Sequence, residues 1–139
     1  MTMLAELPPT VWLSDGCGGQ WSFLELPYSS LQRVKAAGVY AVCSVVHLPL
    51  LYGELPFDVV QTTDHNGNPR FLRILYIGVT GDFAERHAPT VHEYERNFVH
   101  HNATIALVRG EPNPSERRWI EQNLIGHYNP TINVQHRTV

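Results

Sequence analysis

Apolar positions along this chain change rhythm several times, and each change predicts an element. VYAVCSVVHL, Val39 to Leu48, is a run of β-branched and aromatic residues that reads as a strand. Phe71 to Ile77 and ATIALVR, Ala103 to Arg109, read as two more. Elsewhere the spacing is helical. SSLQRVKAAG predicts a short helix with Ser29 or Ser30 as N-cap, Leu31 and Val34 on one face, and Gly38 taking the left-handed turn at its end. Asp82 caps a second short helix, FAERH, which Pro89 stops, and VHEYERNFVHH resumes it. The best marked element has Asn113 as N-cap, Pro114 at the first helical position and Glu116 two residues further on. Its buried side would be Trp119, Ile120, Leu124 and Ile125, and Asn129-Pro130 ends it.

Residues 49–70, with PLLYGELPFD and the turn-forming DHNGNP, read as an extended loop or hairpin arm that sets the Phe71 to Ile77 strand antiparallel to the first. Residues 1–28 mix prolines, SDGCGG and scattered aromatics, and read as an arm packed on the domain surface. The expected fold is α/β (α+β). It has a small three-stranded antiparallel sheet flanked by helices, a domain over 29–139 and an extended hairpin insertion at 49–70.

Composition narrows the class. The chain has 139 residues, enough for a single core, with 43% hydrophobic and 17% charged residues. A net charge of −3 provides no global basic field of the kind that coats nucleic acid non-specifically. No apolar stretch approaches membrane-spanning length, and Glu6 stands where a secretory peptide wants positive charge. Cys17 and Cys43 are far apart with no CxxC, so neither a zinc site nor a disulfide framework is implied, and a cytoplasmic setting is expected.

The candidate chemistry lies in four ordered pieces: Gly38-Val39-Tyr40, Tyr76-Ile77-Gly78, Arg86, and Glu121 followed by Asn133. Together they resemble the GIY-YIG nuclease family from about Gly38 to Asn133. The resemblance implies a divalent-metal-dependent endonuclease that hydrolyses phosphodiester bonds in DNA, with RNA as the alternative substrate. Its catalytic set would be Tyr40, Tyr76, Arg86, Glu121 and Asn133. Glu121 would hold Mg²⁺ or Mn²⁺, since one carboxylate plus several waters suits a hard ion. Arg86 would fork onto phosphate oxygens, Tyr40 would serve as general base, and Asn133 would brace the site. A free phenol has a pKa of about 10, so nearby cations would have to lower it.

Two positions depart from the family pattern: Val79 replaces a lysine that follows YIG in many members, and Thr90 replaces their His or Tyr. His87 and His92 lie close enough in sequence to take the latter role. These gaps leave an alternative, a catalytically weakened module that binds nucleic acid or a protein partner without cleavage. No DNA-binding motif accompanies the domain, so target recognition would come from the arm, the insertion, a homodimer or a partner protein.

Overall fold

Strand β3, Gly38–Val46, lies at the heart of the molecule, and every residue from Gly38 to Ser44 is buried. Burial on both faces explains its unbroken apolar run, since a strand with one wet face would alternate. The computed structural model describes residues 10–47, 55–64, 66–83, 98–99 and 101–135. Around β3 are β1 (Thr10–Ser14), β2 (Gln20–Pro27), β4 (Val59–Thr63), β5 (Pro69–Thr80) and β6 (Ile105–Gly110). Two helices follow, α1 (Pro114–Tyr128) and α2 (Thr131–Gln135).

The six strands make one antiparallel sheet in the order β1-β2-β6-β3-β5-β4, nearly closed and barrel-like. This corrects the expected three-stranded sheet flanked by helices. The three expected strands are present as β3, β5 and β6. However, they occupy the middle of a mostly β structure, and the residues around them supply three more. Residues 10–27, read as part of an arm, form the β1–β2 hairpin, with β2 paired to β6. Within the segment expected to be an extended loop or hairpin arm, VVQTT pairs with β5 as β4, making a hairpin. Asp64 shapes the turn between them by accepting the amides of Asn66 and Asn68, and Gly67 takes φ 83°.

The segment read as a helix from Ser29 instead forms a 3-10 helix over Tyr28–Arg33 and then runs extended, so Gly38 opens a strand rather than capping a helix. The helices predicted after Asp82 fall largely outside the described residues. No helix among the described residues is long and apolar enough to cross a membrane.

Two apolar clusters cover the two faces of the sheet. On the concave face Val11 and Leu13 near one edge share a cluster with Leu72 and Ile74 near the other, which a flat six-stranded sheet would not permit. Helix α1 fills that concavity with Ile120, Leu124 and Tyr128. Glu25 on β2 and Arg70 on β5, three places apart in strand order, form an ion pair across the same face. Cys43 is fully buried there, and burial is the main influence pushing its thiol up, with Glu25 adding and Arg70 opposing. Cys17 is exposed in the β1–β2 turn. The convex face carries Leu31, Tyr40, Val42, Leu75, Phe83, Phe98, Ala106, Val108 and Ile132.

The caps of α1 follow the sequence expectation. Asn113 accepts the amides of Ser115 and Glu116 at 2.9 and 3.1 Å, Pro114 sits in the first turn, and Asn129 ends the helix at φ 46°. Its buried side differs: Tyr128 joins Ile120 and Leu124, while Trp119 is 52% exposed.

Candidate active site around the paired tyrosines

The two motif tripeptides meet. Tyr40 on β3 lies opposite Gly78 on β5, and Val42 lies opposite Tyr76. A β-bulge makes this useful. Leu72 and Ile74 face the concave cluster, so strict alternation would send residue 76 to that face too. The register shifts between Val42 and Cys43, with Leu75 left over on β5. Leu75 and Tyr76 therefore both reach the convex face, and Ile77 returns to the concave one. The rings of Tyr40 and Tyr76 end 5.9 Å apart on one side of the sheet.

Gly78 is the floor under those rings. A Cβ there would lie 2.8 Å from Cζ and the hydroxyl oxygen of Tyr40, and 2.8 Å from Cε2 of Tyr76. Tyr40 is 1% exposed and also meets Phe83 edge to face at 5.9 Å. Tyr76, half-buried, packs against Phe98 at 5.5 Å. Aromatic packing on several sides thus fixes both phenols in direction.

Asn133 reaches the same stretch of backbone from α2. Its Oδ1 accepts the amide of Ile77 at 2.8 Å, and its Nδ2 donates to the Ile77 carbonyl at 3.0 Å. Strand β4 pairs with β5 only up to Arg73, and the Ile74 amide goes to the carbonyl of Asp58. Beyond that point the Asn133 amide stands in for a neighbouring strand, satisfying the residue between Tyr76 and Gly78.

Glu121 is placed differently. It rides on α1, whose neighbouring residues Ile120 and Leu124 belong to the concave cluster, whereas both tyrosines belong to the convex one. The structure therefore brings together Tyr40, Tyr76, Gly78 and Asn133, and sets Glu121 on the helix of the other face. Burial raises the Glu121 carboxyl above its ordinary 4.5, and Arg118 partly offsets that. A carboxyl raised by folding binds its proton more tightly in the native state. Its ionisation therefore removes stability as pH climbs from 4.5 through the folded value, and a bound cation would restore it.

Arg86, His87, Thr90 and His92 lie outside the described residues. Val79, in the position of the family's lysine, packs against the concave cluster. No group of three or more His, Cys, Asp or Glu able to hold a metal occurs among the described residues. A lone carboxylate is still an adequate protein share for Mg²⁺, which keeps most of its waters.

Sequence reasoning had no access to the bulge or to Phe83 and Phe98 as walls of the site. The bulge has no composition signal in RILYIGV; only the face change of Tyr76 discloses it. Comparison with protein-family models, curated proteins and solved structures finds no match.

Proposed function

We propose that this chain is a divalent-metal-dependent endonuclease that hydrolyses phosphodiester bonds in DNA, using the chemistry of the GIY-YIG nucleases its motifs resemble. The observation that supports this most is the register of β3 and β5, which lays GVY beside YIG and turns both tyrosines to one face. In this reading Tyr40 orients the attacking water and takes its proton, Tyr76 assists at the same oxygen, and Arg86 binds the phosphate. Asn133 holds the Tyr76-Ile77-Gly78 backbone fixed through its two hydrogen bonds to Ile77. Glu121 would hold Mg²⁺ or Mn²⁺, which when bound would supply charge stabilisation for the phosphate and leaving oxygen. The setting is cytoplasmic, and a second copy or a partner protein supplies target choice.

One observation favours a second reading. Glu121 belongs to the concave-face helix and the tyrosines to the convex face, a separation that suits a module that binds nucleic acid or a partner without cleaving it.

The two readings separate in one assay. Supercoiled plasmid with Mg²⁺ is expected to be nicked by the parent, and about a hundred-fold more slowly by Glu121→Gln and Tyr76→Phe. Mg²⁺ should also raise the thermal unfolding midpoint of the parent and leave that of Glu121→Gln unmoved, since the variant has no charge for the ion to relieve. Equal nicking by parent and Glu121→Gln would remove the metal assignment. Retention of plasmid in a gel shift without strand breaks would move the protein to the second reading.

A further inference from the structure

Helix α1 carries a second feature that the tyrosine face does not use. Trp119 projects from it about half exposed, although its position in the helix suited a core residue. The ring is nevertheless fixed in place. It meets Trp21 nearly perpendicular, at 79° with centroids 5.7 Å apart, and Trp21 is itself packed against the concave core. Beside it lies a shallow, open concavity of about 380 Å³ on one stripe of α1, lined by Pro114, Ser115, Arg118, Trp119 and Gln122. Arg118 is exposed and makes no ion pair or hydrogen bond among the described residues. Its charge is felt by Glu121, one turn further along the same helix.

These parts make a specific set. A half-open indole offers a flat face, an exposed guanidinium offers charge and a donor fork, and the Gln122 amide and Ser115 hydroxyl offer donors and acceptors. Base stacking on an aromatic ring beside an arginine is how unpaired nucleotides are held. A paired base has both faces covered by its neighbours and cannot enter. The chain's net charge of −3 makes a diffuse electrostatic coat a poor explanation for binding.

We infer that the Trp119–Arg118 groove binds an unpaired nucleotide of single-stranded nucleic acid, with the base stacked on Trp119, a flanking phosphate on Arg118 and the base edge read by Gln122. The inference rests on the nucleic-acid part of the proposed function and not on cleavage. It also places the bound strand beside Glu121.

The test is anisotropy of labelled oligothymidine, oligouridine and a blunt duplex of equal length, in chelator so that nothing is cut. The parent is expected to bind the single strands and to bind the duplex at least about ten-fold more weakly. The thymidine and uridine arms tell DNA from RNA, and binding of either supports the groove. Trp119→Ala should weaken single-strand binding about ten-fold or more, while Trp119→Phe keeps most of it. Arg118→Gln should flatten the salt dependence by about 0.7 in the log–log slope, the loss of one single-strand phosphate contact. Trp12→Ala removes another exposed tryptophan, on the convex side of β1, and should change nothing.

Circular dichroism checks that each variant is folded, and Trp119→Phe with Arg118→Gln carries the test if the alanine variant is not. Undiminished affinity in Trp119→Ala, or a parent that ignores single strands, overturns the inference. So does self-association that Trp119→Ala abolishes without any oligonucleotide binding, which would give the groove to a second copy. Single-strand binding without plasmid nicking leaves the groove standing and removes the endonuclease; nicking with Trp119-independent binding does the reverse.

Discussion

Gly38→Ala is expected to lower the stability of the protein by about 3 kcal/mol, at the upper end of what overpacking costs. The new Cβ would sit 2.0 Å from the carbonyl oxygen of Arg109 and 3.0 Å from Cζ of Phe83. The first neighbour is backbone, and it belongs to the strand paired with β3 in the register Val39 to Arg109. It cannot swing away as a side-chain tip would. Relief requires β3 and β6 to part at their ends, where the Glu111 amide also donates to the Ala37 carbonyl at 2.9 Å. For a domain of this size the unfolding midpoint should fall by roughly 10 °C. Thermal melts followed by circular dichroism measure this directly. Gly126→Ala, where a Cβ meets nothing within 4 Å, serves as the reference and should stabilise α1 by roughly 0.5–1 kcal/mol. A Gly38→Ala midpoint equal to the parent's would show that the β3–β6 approach is not as tight as described.

Asn133→Ala is expected to cost about 2 kcal/mol, because it strips both the amide and the carbonyl of Ile77 of their partner at a half-buried strand edge. Asn133→Asp separates the two bonds. The carboxylate can still accept from the Ile77 amide, but it faces the Ile77 carbonyl with no proton to donate. Protonating it supplies that proton, so this variant should recover stability as pH is lowered through the carboxylate range, near 4. The parent has no such group at this position. Chemical denaturation across pH reads the difference. In the proposed enzyme the alanine variant should also lose turnover, since Ile77 sits between Tyr76 and Gly78. A variant as stable as the parent at every pH would remove Asn133 from the role of substitute strand.

The sequence made the centre of the sheet readable and concealed its margins. Strands β3, β5 and β6 announce themselves through Val, Ile, Tyr and Leu, and α1 through Asn113-Pro114 and its left-handed Asn129. Strand β4 had a signal as well: Val59-Val60-Gln61-Thr62-Thr63 is β-branched at four positions out of five and runs into a turn sequence. Strands β1 and β2 gave less, because apolar residues stand on both faces, Trp12 and Leu24 exposed and Val11, Leu13 and Phe23 buried, so polarity does not alternate even where burial does.

The candidate site was readable as residue types in order, Tyr40, Tyr76 and Gly78 among them. Their placement on one face was not, because it depends on one extra residue, Leu75, in a ladder whose register no local composition reports. Trp119 shows the opposite failure. Helical spacing assigned it inward, yet the wall of Trp21 holds it at the surface.

The two cysteines stand at opposite extremes of accessibility. Cys17 waits in the open hairpin turn, while Cys43 is sealed beneath the Glu25–Arg70 lid, its thiolate form disfavoured. An alkylating reagent should therefore modify one sulfur in the native molecule and reach the second only when β2 and β5 draw apart. The chain thus carries its own clock for the opening of its curled sheet.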